Sequence, residues 1–267
     1  MRTVKIQGGL GNQLFGLAFA HSIATLTGRN VALDLSSYGA DRYGRGYDFP
    51  DLAAHLGGLT LTDHPWRGSR LVSAAARILP LPGLVAERAP PPDAAALRAL
   101  VEANAYFDGY WQHEAFIAAP DPFKDAVRAD IAARGEADQA ADVLIHFRTY
   151  KEEIHADRGA TPAPAYFRRC LEALDARGAA IGGVRLISDD PDLAMRRIGD
   201  LGVPVSPATG ESRWDDMAAL MSARRLILTN SSFSWWGGYC GAAETVFYPH
   251  QEGLFHYPVP AARFEVV

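Results

Sequence analysis

Through the second half of the chain, short apolar runs alternate with longer stretches of helical periodicity, and few folds accept that pattern. VLIHF (143–147), VRLIS (184–188), VPVS (203–206), LILT (226–229) and ETVFYP (244–249) read as strands. Between them, PAYFRRCLEALDARG (164–178) carries apolar residues at 166, 167, 170, 171 and 174, one face of a helix. A short helix after Asp189 and a second at WDDMAALMSARR (214–225) follow. The latter has Asp in its first turn and Arg in its last, as the helix dipole favours. SFSWWGGYCGA (232–242) reads as a further helix. Strands without polar alternation, separated by helices, predict a parallel sheet covered on both faces.

The first half opens the same way. VKIQ (4–7) is a strand, GGLGN (8–12) a glycine loop, and a helix runs from about Gln13 to Thr27, closed by Gly28. VALDL (31–35) is the next strand. Residues 36–60 read as loop, and 66–104 as helical with a break at 80–82 and a turn at 90–92. AYFDGYWQ (105–112) reads as a strand containing a glycine. The polar, aperiodic RGEADQAAD (134–142) marks a boundary, which divides the chain into domains 1–137 and 138–267. Both are expected to be doubly wound α/β units, in which ligands sit at the carboxyl ends of strands.

With 48 % apolar and 21 % charged residues, the composition is that of a globular protein. A net charge of −5 argues against a nucleic acid or an anionic membrane held by bulk electrostatics. Cys170 and Cys240 match no metal or redox spacing. No apolar run reaches membrane-spanning length, and MRTVKIQGG enters a strand without a signal-like region, so a cytoplasmic location, membrane-peripheral at most, is the expectation.

The residues that follow each strand carry the functional signal. After the first, Gly9 and Gly11 fit a dinucleotide fingerprint, but Leu14 stands where its third glycine belongs. Asp34, ending the second strand, occupies the place of a ribose-binding acid. A ligand-free βα turn, a nicotinamide site and another phosphate or polar ligand all remain open on this pattern. After VLIHF, His146 and Arg148 share one face of the strand end. An Arg there presents a fork suited to two phosphate oxygens, or is simply a surface residue beside a core-edge His. Glu152 and Glu153 offer a general base, or a solvated acidic pair. After VRLIS comes Asp189, then Asp190-Pro191-Asp192, a D-x-D that can hold a cation or start a helix. Helix capping is the reading adopted for Asp190, and a ligand role for Asp189. After LILT, Asn230, Ser231 and Ser232 provide a helix cap and an anion-facing amide cluster, with Phe233, Trp235 and Trp236 in the turn above, most of them destined for the core.

Taken together, these segments resemble one family. GGLGNQLFGLAFA (8–20), FDGYWQHEAF (107–116), VLIHFR (143–148), LISDDPD (186–192) and LMSARRLILTNSSFSWWGG (220–238) are similar, in order, to the motifs of the α-1,2-fucosyltransferases of glycosyltransferase family 11. The resemblance implies a GT-B-like fold, two Rossmann-like domains facing a cleft. GDP-fucose would be bound by the C-terminal domain and a glycan acceptor contacted by the N-terminal one. The implied reaction is inverting transfer of L-fucose to an acceptor hydroxyl, galactose O2, without a metal or other cofactor. Arg148 would hold the diphosphate, and Asn230, Ser231, Ser232 and Phe233 would cradle the nucleotide. Asp189 would contact the nucleoside, Asn12 with Gly9 and Gly11 would face the reacting sugars, and His146 would support Arg148 or touch the donor. The family reads H-x-R-R-x-D where this chain has Thr149 and Lys151, so Lys151 is the candidate for the missing cation and Glu152 or Glu153 for the missing acid. A related GDP-6-deoxyhexose donor, or a non-catalytic GDP-sugar-binding protein of the same fold, are the alternatives that this departure leaves. Tyr38, Tyr43, Tyr47 and Trp66 are candidates for stacking on an acceptor sugar, or for loop packing.

Overall fold

The structure, a computed structural model, describes residues 1–40, 44–62, 83–87, 89–136, 141–149, 162–250 and 258–267. The chain forms two compact units, Met1–Asp130 and Ile131–Val267. Both are α/β, and all strand pairings among the described residues are parallel. They are the two Rossmann-like units of a GT-B-like chain.

The N-terminal unit is built on β1 (Arg2–Lys5), β2 (Val31–Asp34), β3 (Leu59–Thr62), β4 (Leu84–Ala86) and β5 (Tyr106–Asp108), in the order β3-β2-β1-β5-β4. Helix α1 (Leu10–Thr27) joins β1 to β2 and is buried along most of its length. It ends at Gly28, whose φ of 62° is left-handed and whose N–H closes on Ala24 O. Helices α2 (Pro50–Leu56), α3 (Ala94–Ala103) and α4 (Pro120–Ala132) complete the unit, with the division between units falling near the end of α4. Val4, Ile6, Phe15, Phe19, Phe107, Trp111 and Phe116 form its centre, all at most 1 % exposed.

The C-terminal unit contains β6 (Val143–Phe147), α5 (Pro164–Ala176), β7 (Val184–Ser188), α6 (Pro191–Ile198), β8 (Val205–Pro207), α7 (Arg213–Ser222), β9 (Arg225–Ile227), α8 (Ser232–Cys240), β10 (Thr245–Tyr248) and β11 (Glu265–Val266). Its sheet order is β11-β10-β9-β6-β7-β8. The α5 stripe Tyr166, Phe167, Cys170, Leu171 and Leu174 packs on Val143, Ile145, Phe147, Val184 and Leu186, the face predicted from its periodicity. Helix α8 accounts for the WWGG run. Trp235 and Trp236 are fully buried, and a Cβ on Gly237 would lie 2.5 Å from Leu220 Cβ, so the glycine lets α8 close on α7.

Among the described residues, five α-helices and strands differ from the expectation. Helix α2 and strand β3 occupy part of the stretch read as loop, β4 lies in a stretch read as helix, and α4 and β11 were not anticipated. Strands β3, β4, β8 and β11 stand at the sheet margins. LTLT of β3 is half-buried at its ends and exposed between, so it lacks the apolar run and the continuous burial of β2 or β6. Among the described residues, no helix is long and apolar enough to cross a membrane.

Candidate functional site

In each unit, the first strand lies inside the sheet, with later strands added on both of its sides. The switch points of strand order are therefore the carboxyl ends of β6 and of β1, where doubly wound sheets bind ligands.

At the end of β6 stand His146, Arg148 and Thr149. The register sets His146 opposite Ile187 and Phe147 opposite Ser188 on β7, and Ile145 opposite Ile227 on β9. The turn after β7 thus delivers Asp189, and the segment after β9 delivers Thr229 to Phe233. The Arg148 amide donates to Thr229 Oγ1 at 3.3 Å, tying one loop to the other. The Arg148 side chain is half-exposed, and its Nε lies 3.4 Å from Asp189 Oδ2. Asp189 Oδ1 accepts the Thr149 amide at 2.9 Å. Burial pushes the Asp189 carboxyl up, but the Thr149 amide and the Arg148 charge outweigh it and hold the group below its usual range. Asp189 thus grips Arg148 at Nε and leaves the guanidinium's two terminal nitrogens without a partner among the described residues.

His146 lies behind this pair, 4 % exposed, with its ring 5.7 Å from that of Phe233. Its Nδ1 is buried with no hydrogen-bond partner among the described residues. Burial, then the Arg148 charge, drive its pKa down to about 3 against the pull of Asp189. His146 is therefore neutral at pH 7 and cannot add a cation to the site. A histidine held below its unfolded value contributes stability above pH 6.5 that is lost as pH falls towards 3. The loss expected between pH 7 and pH 4 is about 3 kcal/mol. Urea unfolding of wild type and His146→Phe at both pH values checks this; equal losses in the two proteins would refute it.

Ser231 is the N-cap of α8 and makes no side-chain capping bond; its own amide donates to Thr229 O at 2.7 Å. The first turn of α8, whose N-cap side chain makes no capping bond, opens at the same sheet end that carries Arg148. Asn230 and Ser231 are buried, whereas Ser232 and Phe233 are half-buried. Asp190, by contrast, caps α6, with Oδ1 accepting the Leu193 amide at 2.9 Å, the capping role expected for it. Among the described residues, no group of three or more His, Cys, Asp or Glu side chains is arranged to hold a metal ion.

At the end of β1, Gly8 has a φ of +83°, and a Cβ on it would lie 2.6 Å from Asn12 Nδ2. A side chain there would be both strained and in collision, so glycine is required. Gly9 is the extended N-cap of α1, and Gly11 is buried in its first turn. Half-buried Asn12 accepts from Gln112 Nε2 at 2.7 Å. Gln13 is fully buried and binds the loop beyond β2, donating to Gly46 O and Asp48 Oδ2 and accepting the Asp48 amide. Asp34 is fully buried and accepts from the Tyr106 hydroxyl and the Ser36 amide, so it is a structural acid rather than a ribose ligand. Tyr38 donates to Gly8 O and Tyr47 to Phe49 O.

Gln112, Glu87 and the buried Lys5–Asp108 pair at 3.3 Å were not singled out from sequence. Only Gln112 carried a signal, its place inside FDGYWQHEAF. Lys151, Glu152, Glu153, Tyr43 and Trp66 lie outside the described residues.

Comparison with known proteins completes the picture. The model of glycosyl transferase family 11 matches residues 101–251. No curated protein sequence matches the chain. Among solved structures, the NodZ α-1,6-fucosyltransferase of Bradyrhizobium soaked with GDP-fucose aligns with a TM-score of 0.47 at 15 % identity over 90 % of this chain and 92 % of that one. The E. coli heptosyltransferase WaaC with ADP-2-deoxy-2-fluoro heptose gives 0.46 at 11 % over 100 % and 93 %, and POFUT1 in complex with GDP 0.45 at 9 % over 92 % and 98 %.

Proposed function

We infer, for a chain that belongs to glycosyl transferase family 11, that it moves L-fucose from GDP-fucose to a hydroxyl of a glycan acceptor, galactose O2, with inversion from the β-linked donor to an α product. The observation that carries this reading is the convergence of Arg148, gripped at Nε by Asp189, with the opening turn of α8, whose N-cap Ser231 makes no side-chain capping bond, at one sheet end. Breaking the bond between fucose C1 and the β-phosphate oxygen leaves negative charge on that phosphate. A preorganised guanidinium and helix-terminal amides stabilise the charge as it develops. This is work a divalent cation can do, and in our reading the enzyme does it without one.

In this reading the C-terminal domain, expected at 138–267, holds the nucleotide through Arg148, Asn230, Ser231, Ser232 and Phe233. His146, neutral and wedged against Phe233, keeps the floor of the site in place. Asp189 acts first on Arg148, and its remaining acceptor capacity faces the nucleoside. In the N-terminal domain, expected at 1–137, the glycine loop and Asn12 face the reacting sugars. Glu152 or Glu153 takes the proton of the acceptor hydroxyl as it attacks C1 from the face opposite the diphosphate, the geometry that inverts the anomeric centre. Cys170 and Cys240 are buried free thiols, compatible with a reducing cytoplasmic setting.

Thr149 favours one other reading. Where the family has a second Arg, this chain has a buried threonine whose amide serves Asp189. A related GDP-6-deoxyhexose donor, or GDP-sugar binding without transfer, follows if that lost charge matters. A donor screen decides. GDP-fucose, GDP-mannose, UDP- and TDP-sugars are each assayed for hydrolysis, with and without a chelator. Hydrolysis of GDP-fucose, unchanged by chelation, is expected. Turnover of another donor alone would refute the donor assignment. Activity lost to the chelator and restored by Mg²⁺ would refute the metal-free mechanism.

A further inference from the structure

The turn after β5 is held in a conformation that ordinary loops avoid. Trp111 has a φ of +57°, the one non-glycine residue with positive φ among those described. Such a backbone is strained and persists only where its surroundings enforce it. Two devices enforce it here. The Trp111 ring is 1 % exposed, stacked on Phe19 at 4.3 Å and edge-on to Phe107 and Phe116. Glu87, just past β4, then clamps the flanking amides, with Oε2 accepting from Tyr110 N at 2.6 Å and Oε1 from Gln112 N at 3.1 Å. The next side chain is Gln112, 9 % exposed, and its Nε2 meets Asn12 Oδ1 at 2.7 Å across a sequence separation of 100 residues.

We propose that Gln112 is a positioning residue, held by the Glu87 clamp, that sets the orientation of the Asn12 carboxamide. A carboxamide can turn over at little cost, exchanging its donor and acceptor ends. In the pair as it stands Gln112 donates to Oδ1, which leaves Nδ2 as the end open to other partners. Asn12 Nδ2 has no partner among the described residues. The chemistry recognised is therefore an oxygen acceptor, a sugar hydroxyl or ring oxygen of the reacting glycosides. This rests on the reading above in which Asn12 faces those sugars. The strained turn is thus part of the site's rigidity, since a small misplacement of a reacting group costs rate rather than fold.

Gln112→Glu tests this with almost no change of shape. A carboxylate only accepts, so it cannot donate to Oδ1 and instead draws the Asn12 NH₂ towards itself. Transfer kinetics and melting temperatures are compared for wild type, Gln112→Glu, Gln112→Leu, Asn12→Ala and the Asn12→Ala/Gln112→Glu double variant. We expect kcat to fall at least about tenfold in Gln112→Glu, with donor KM changed by less than about twofold, and the double variant to be no slower than Asn12→Ala alone. Unchanged kcat in Gln112→Glu, or multiplicative losses in the double variant, would overturn the proposal. So would a fall in activity that follows a fall in melting temperature across both Gln112 variants. Wild-type rates in Asn12→Ala would instead remove the role of Asn12 itself and the proposal with it. Absence of wild-type turnover of GDP-fucose would remove the donor assignment on which both stand.

Discussion

Replacing Arg148 with Ala is expected to lower transfer at least about a hundredfold while the protein stays folded. The side chain is half-exposed, and its ion pair among the described residues is with the partly exposed Asp189, so the fold depends on it little. Asp189 keeps the Thr149 amide when the guanidinium is gone. What is lost is a positive charge already aimed before the phosphate leaves. Arg148→Lys should recover part of the rate: it restores charge, but not the grip through Nε or the two-pronged fork. Steady-state transfer and hydrolysis of GDP-fucose, with circular dichroism as the folding control, measure both variants. Activity of Arg148→Ala within a few-fold of wild type would end its proposed role. Unfolding of the variant would show that the pair with Asp189 is structural instead.

The largest effect on stability is expected at Trp235. The side chain is fully buried, stacked on Tyr239 at 4.5 Å, edge-on to Trp236 at 5.0 Å and to Phe264 at 5.8 Å, and its Nε1 donates to Val259 O at 2.8 Å. It therefore fixes α8 to the C-terminal segment that follows β10. Trp235→Ala removes the ring and its hydrogen bond together and should cost about 3–5 kcal/mol. A drop in melting temperature on the order of 10 °C is the expected readout. Because α8 opens on Ser231–Phe233, donor affinity should weaken as well, through a looser helix N-terminus. A variant that melts within about 2 °C of wild type would contradict this account of the α8 packing.

The outcome at particular positions shows how far the amino-acid sequence reaches. β6, β7 and α5 could be read directly, because a strand buried on both faces must be apolar throughout and a helix buried on one face must be periodic. Of the four margin strands, only β8, which overlaps VPVS, could be read. β3, β4 and β11 are two to four residues long at or near the edges of their sheets, where one flank needs no apolar partner. Glycines told two stories: Gly28 ends a helix by a local rule, whereas the need for Gly8 appears only when Asn12 is seen to lie across it.

The chain's own order of residues determined the class of fold, the strand ends worth inspecting and the family, since each follows from local pattern or contiguous motif. It named His146, Arg148, Asp189 and Ser231–Phe233 as separate candidates. Tertiary structure alone decided their partners: Asp189 on Arg148, His146 under Phe233 with no partner for Nδ1 among the described residues, and Gln112 on Asn12 with Glu87 behind it. These pairings join residues 25 to 100 positions apart or come from different strand ends. The physical reason is that a hydrogen bond is satisfied by proximity in space, and that proximity is set by strand order and register, which no short stretch of sequence carries.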